Sequence, residues 1–390
     1  MIFQVSIFAF MGRVFNASRR RHRPAIRLES PLHRQAGEVP MSRMILLTEG
    51  MSNPTEAKTA TGLLRYRGEE VLAVLDSACA GRTAREVFGV GGEVPFVASL
   101  DGLEADTLVM GVATAGGELP TAWRRIISDA LRSGMKILNG LHTFLRDDPE
   151  FAPLAAEHGG ELIDVRRPPA DLVVSSNQAR KTGCFRVHTV GHDCGVGKML
   201  TALELTAALR ERGHRAEFLA TGQTGIMIAG SGIPIDAVVS DFVAGAAEQL
   251  VLESQDREFV LIEGQGSLVH PLYSGVTLGL LHGCAPQAMV MGFDPTRSTI
   301  RHSEQEMPPL REVIALYEAM ANVISPSRVV AVAANTSSLD EAGARKLLDT
   351  LQDSLDLPAA DVVRFGCEPI VEAVLQERRG LAEGSGKGRE

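Results

Sequence analysis

Lys198 closes a glycine-rich run, GHDCGVGK at residues 191–198, where residue types and spacing together imply chemistry. Glycines at 191, 195 and 197 let main-chain N–H groups converge on an anion, and the ammonium of Lys198 adds a full positive charge. A β-branched run, residues 187–190, leads into the loop, and a helix-period segment with Leu200, Leu203, Leu205 and Leu209 follows it. Strand, glycine loop and helix in that order form a phosphate-binding loop whose helix N-terminus contributes further positive potential. The cofactor-binding set read here is Gly191, His192, Asp193, Cys194, Gly195, Val196, Gly197, Lys198 and Met199. Two features depart from the usual motif. Five residues rather than four separate Gly191 from the Gly197–Lys198 pair, and Met199 stands where a Ser or Thr hydroxyl would bind Mg²⁺. The anion cradle is indicated; the metal–nucleotide half of the motif is not, and no metal ligands are assigned.

A second chemical group comes from FVLIEGQGS, where an apolar strand, residues 259–262, delivers Glu263 into a glycine turn. In a P-loop domain that is the Walker B place, where a carboxylate holds a metal-bound water or acts as general base. His270 follows seven residues on and ranks lower, since a lone histidine more often serves packing. AMVMGFDPTRS, residues 288–298, reads as another strand that ends in Asp294, Pro295, Thr296 and Arg297, and the planar guanidinium groups of Arg297 and Arg301 suit a carboxylate or phosphate. Gln223 and Thr224 lie in the TGQTG turn after a strand at 216–220, Asn335 ends a later strand, and Asp236 and Asp241 precede a helix, as ligand contacts or as caps.

These residues need parallel strands to carry them. Residues 71–76, 107–113, 135–142 and 161–166 read as strands alternating with helical stretches, which implies βα units around a parallel sheet. Asp76 and the Gly116–Gly117 pair fall just past strand ends, where open α/β sheets bind ligands, but without GxGxxG a dinucleotide site is unsupported. The fold class is α/β: a Rossmann-like parallel-sheet domain over 44–180 and a P-loop NTPase-like domain over 181–378. Residues 1–43, rich in arginine, read as an extension or mis-assigned start, and residues 379–390 as a disordered tail.

Composition narrows the function classes. Among 390 residues, 45% are hydrophobic and the net charge is -9, which gives no basic face for general nucleic-acid binding. No apolar run is long enough to span a bilayer. Cys79, Cys184, Cys194, Cys284 and Cys367 show no CxxC, so reduced thiols and a cytoplasmic setting are expected. The expected partners are a small-molecule substrate and further copies of the chain in a homo-oligomer, without nucleic acid or membrane.

The loop, the VLIEGQGS strand and Asn335 together resemble the dethiobiotin-synthetase-like branch of P-loop proteins. More closely, the sequence resembles a bacterial family long catalogued as a domain of unknown function, whose members act as D-glutamate N-acetyltransferases. That family's signature looks like GxDCxVGKM, then TGQTGxMIAGxGxPIDAVxxDFVAGAAE, then EGQGS, and this sequence carries them at 191–199, 221–248 and 263–267. The resemblance implies transfer of acetyl from acetyl-CoA, as cosubstrate, to the amine of D-glutamate, with the loop cradling CoA phosphates. Under that reading Glu263 or Asp193 is the base, Lys198 or loop amides face the thioester oxygen, and Asn335 joins the cofactor contacts. Gln223, Thr224, Asp241, Arg297 and Arg301 then bind the acceptor. Cys194 is an alternative, as an acetyl-carrying nucleophile. Two other functions stay open: an Mg-ATP-dependent ligase or kinase with Thr201 replacing the missing hydroxyl, and a non-catalytic nucleotide or CoA sensor.

Overall fold

The computed structural model describes residues 43–53, 56–112 and 119–386. Gly116, Gly117 and the arginine-rich residues 1–42 lie outside them. Two compact units divide between Arg167 and Pro168, earlier than the boundary at 180 expected from the sequence. The reason is Glu248, whose carboxylate accepts the backbone N–H groups of Ser176 (2.6 Å), Gln178 and Ala179 (3.3 Å). Those bonds tie the segment after Pro168 to the second unit.

In the first unit the order is β1 (Met44–Leu47), α1 (Lys58–Tyr66), β2 (Val71–Leu75), α2 (Ala84–Phe88), β3 (Phe96–Val97), β4 (Thr107–Met110), α3 (Trp123–Arg132), β5 (Lys136–Asn139), α4 (Phe151–His158) and β6 (Glu161–Asp164). The strands form one sheet in the order β3-β2-β1-β4-β5-β6, and every pair is parallel. Strands β1 and β4 are buried throughout, as parallel strands covered on both faces must be. Trp123, Ile127, Leu131 and Phe151 pack on one face. Asp76 is already committed at the end of β2: it accepts the Ala78 N–H and the Ser52 hydroxyl.

The second unit runs β7 (Phe185–Gly191), α5 (Lys198–Glu211), β8 (Ala216–Leu219), α6 (Gln223–Ala229), α7 (Val243–Glu253), β9 (Phe259–Ile262), α8 (Ser274–Cys284), β10 (Ala288–Phe293), α9 (Leu310–Asn322), β11 (Arg328–Ala334), α10 (Glu341–Leu355), β12 (Ala359–Ala360) and α11 (Glu368–Gly386). Its sheet is parallel, in the order β12-β11-β10-β7-β9-β8. The chain leaves β7 to one side, through β8 and β9, then crosses to β10 on the other. β7 therefore ends at the topological switch point where such sheets bind ligands. All seven residues of β7 are buried. α11 continues past residue 379, where the sequence suggested a tail. Ile370 and Val371 (each 0% exposed) bury its start, and ion pairs from Glu377 to Arg328 and from Arg378 to Glu258 hold the next turns.

Candidate active site

The glycine loop connects the end of β7 to α5. Gly197 caps α5 in the left-handed region, φ +96°, and Lys198 is its first residue. The Lys198 ammonium folds back to donate to the Asp193 carbonyl at 2.8 Å. Tyr317 on α9 fastens the loop's start, donating to the Gly191 carbonyl at 3.0 Å and accepting the Leu268 N–H at 3.1 Å. Burial pushes its phenol up to about 12, so it remains a donor. His192 packs on Phe293 with Nδ1 3.2 Å from the Gly292 carbonyl, and burial lowers its basicity.

Glu263 follows β9 and is 4% exposed. Its Oε2 accepts the N–H groups of Thr221 (2.9 Å) and Gly222 (3.1 Å), just ahead of α6. The Thr221 hydroxyl donates to the Glu263 carbonyl at 2.7 Å and accepts Gln265 Nε2 at 3.1 Å. A Cβ on residue 264 would lie 1.7 Å from the Thr189 carbonyl and 2.9 Å from Lys198 Cδ, so the lysine stem runs directly across the residue after Glu263. Burial raises the Glu263 carboxyl to about 7, against the lowering effect of the two backbone donors and of the Lys198 charge. A carboxyl with that value takes and releases a proton near neutrality, which is what a general base needs.

Asp193, fully buried, lies inside the loop. Its Oδ1 accepts the Cys194 N–H at 2.7 Å and its Oδ2 the Arg301 N–H at 3.0 Å. His270, also fully buried, brings Nε2 to 3.8 Å from Oδ1, and that nitrogen has no hydrogen-bond partner. The Leu272 N–H donates to Nδ1 at 3.2 Å, which fixes the imidazole proton on Nε2. Asp193, Cys194 and His270 present O, S and N atoms within 4.8 Å of one another, a spacing that could take a cation. The tautomer opposes this: a metal-bound imidazole donates its other N–H outward, whereas here a donor faces that other nitrogen.

The remaining expected ligands are dispersed. Gln223 and Thr224 begin α6 directly after Gly222, next to Glu263. Arg297 is ion-paired to Asp294, Nε to Oδ2 at 3.3 Å. Arg301 meets Asp193 through its backbone rather than its guanidinium. Asp241 is exposed in a short turn before α7, and Asn335, half-buried after β11, accepts the Ser337 N–H at 3.2 Å. Thr201 lies within the first turn of α5, 3% exposed, its N–H on the Gly197 carbonyl. His270 and Tyr317 are the site residues that sequence reasoning ranked low or missed. A buried histidine in the turn between β9 and α8 carries no spacing signal, and nothing in the helix pattern of α9 marks Tyr317.

Residues 173–371 match the family model described as "Domain of unknown function (DUF1611_C) P-loop domain", and residues 77–168 match "Domain of unknown function (DUF1611_N) Rossmann-like domain". The chain is 40% identical over 272 residues to a D-glutamate N-acetyltransferase of Tritonibacter scottomollicae, covering 69% of this chain and 81% of that one. It is 40% identical over 271 residues to a Pseudoalteromonas protein of the same name, with the same coverage. A crystal structure of a DUF1611 family protein from Anabaena variabilis superposes with a TM-score of 0.82 at 40% identity, over 86% of this chain and 99% of that one. The chain belongs to the DUF1611 family of D-glutamate N-acetyltransferase-like P-loop proteins, with a Rossmann-like domain preceding the P-loop domain.

Proposed function

We propose that this protein transfers the acetyl group of acetyl-CoA to the amine of D-glutamate, with Glu263 as the base. The observation that carries the reading is the Glu263 carboxyl, buried beside Lys198 and raised to about 7. The 40% identical D-glutamate N-acetyltransferases support the substrates. An ammonium cannot attack a thioester until it loses a proton, and Glu263 Oε1 is the oxygen left to receive it once Oε2 holds its two backbone donors. The amine nitrogen then bonds to the thioester carbon, the carbon–sulfur bond breaks, and the departing thiolate takes up a proton. Charge that develops on the thioester oxygen requires hydrogen-bond donors, and the loop amides supply them. Met199 provides no hydroxyl for Mg²⁺, which fits a reaction in which no phosphoryl group moves. The test is release of CoA thiol across D- and L-amino acids, with and without EDTA. Turnover with D-glutamate that persists in EDTA is expected; ATP consumption with strict Mg²⁺ dependence would overturn the reading.

A further inference from the structure

The sequence suggests that the glycine loop cradles CoA phosphates, yet the charges around the loop suit a different ligand. We propose that residues 191–198 hold the zwitterionic acceptor amino acid, with its carboxylate on Lys198, while CoA presents only its thioester end to the loop amides. This assignment rests on the acetyl-transfer reading and names the substrate that occupies the same site.

The first argument is charge. Lys198 lies between two buried carboxylates, Asp193 within the loop and Glu263 beside the lysine stem. A pyrophosphate adds negative charge and only acceptor oxygens. Nucleotide-binding loops offset that charge with Mg²⁺ on a Ser or Thr after the lysine, and this chain has Met199. Pyrophosphate here would face two carboxylates with one ammonium to offset them, and like charges at close range in a low dielectric repel strongly. An amino acid brings one charge of each sign to its amino-acid end. Its carboxylate finds Lys198, and its ammonium finds Glu263 and Asp193.

The second argument is the His270–Asp193 pair. His270 Nε2–H is fully buried without a partner, 3.8 Å from Asp193 Oδ1. The Leu272 N–H on Nδ1 prevents the ring from presenting a lone pair there instead. A donor beside an acceptor is completed by a ligand that carries both an acceptor oxygen and an N–H. A phosphoryl oxygen would satisfy His270 and be repelled by Asp193.

The third argument is reach. A base must be within hydrogen-bond distance of the proton it removes, so the acceptor amine lies at Glu263, in the immediate neighbourhood of Lys198. The thioester must reach the same amine. The whole pantetheine arm separates a thioester from its pyrophosphate, so an extended acetyl-CoA with its thioester at Glu263 has its phosphates far from the loop.

Steady-state kinetics of the full chain tests the assignment. Lys198→Ala should raise KM for D-glutamate about ten- to hundredfold, as loss of a charge-assisted contact does, and leave KM for acetyl-CoA within about twofold. CoA titrated calorimetrically into that variant should bind as it does to wild type. Inorganic phosphate should not compete with acetyl-CoA for wild-type enzyme, an arm that requires no variant to fold. Weakened CoA binding in Lys198→Ala with KM for D-glutamate unchanged, or phosphate competing with acetyl-CoA, would return the loop to CoA and overturn the assignment while the acetyl-transfer reading stands. Wild-type enzyme that releases no CoA with D-glutamate would overturn both.

Discussion

A Cβ on residue 225 would stand 2.3 Å from Oε2 of Glu263, so the glycine in α6 and the carboxylate after β9 occupy one another's space. Helix propensity alone would favour alanine at an interior helical position by about 1 kcal/mol. The carboxylate therefore sets the residue type. Gly225→Ala should shift Glu263 off the Thr221 and Gly222 amides and cut kcat by about tenfold or more, with little change in melting temperature as propensity offsets the displacement. An alanine variant with wild-type kcat would show that the carboxylate position does not matter to the reaction.

The raised Glu263 carboxyl gives a pH dependence with a definite sign. A base works deprotonated, so kcat/KM for the acceptor should rise with pH through about 7, provided Glu263 governs that limb. Glu263→Gln should lower kcat by about 10²- to 10⁴-fold and abolish the limb. Stability runs the other way. The folded value lies above the ordinary 4.5, so the folded state holds the proton more tightly and loses stability as pH rises from about 4.5 through about 7. Glu263→Gln removes that loss, and its melting temperature should exceed wild type at pH 8 but not at pH 4. A variant less stable than wild type at pH 8 would contradict the burial argument.

Local order made part of this site legible in the sequence. The β-branched run before Gly191 and the apolar run before Glu263 each identify a buried strand, and parallel packing then brings both strand ends to one edge. α6 was not legible: TGQTG reads as a turn, and only contact with Glu263 explains a glycine inside a helix. The ion pair of Arg297 with Asp294, three residues earlier, was not legible either, because the turn after β10 is what folds that carboxylate back onto the guanidinium. The meeting of Asp193 with His270 depends on how the segment after β9 crosses the loop, a tertiary relation that no spacing encodes.

Glu248 supports the fold rather than the chemistry. Burial works to raise its carboxyl, but the N–H groups of Ser176, Gln178 and Ala179 outweigh that and hold it below its ordinary value. Glu248→Gln would turn an amide NH₂ toward those donors and lose charge-assisted bonds, costing about 2 kcal/mol. A lowered folded pKa contributes stability above the ordinary 4.5 that is lost as pH falls through the folded value. The gap in melting temperature between wild type and Glu248→Gln should therefore be wide at pH 7 and close toward pH 3. An equal gap at both values would mean the charge is not what holds residues 176–179.

Met199 tests whether the loop retains latent nucleotide chemistry. It is the second residue of α5 and half-buried, at the position where a hydroxyl would complete an Mg²⁺ site. If one missing ligand were all that separated this loop from ATP hydrolysis, Met199→Thr should bring Mg²⁺-dependent phosphate release. The surrounding charges argue otherwise, because the buried carboxylates of Asp193 and Glu263 flank Lys198 and repel the phosphates of a nucleotide. A hydroxyl adds one neutral ligand and removes neither carboxylate. Met199→Thr should release no phosphate from ATP above background, with or without Mg²⁺, and its CoA release with D-glutamate should stay within about threefold of wild type and insensitive to EDTA. Malachite-green detection of phosphate alongside a thiol assay on the same preparation measures both. Phosphate release that appears with Met199→Thr and disappears in EDTA would show that the loop accepts Mg-ATP, and the charge argument for an amino-acid ligand would lose its footing.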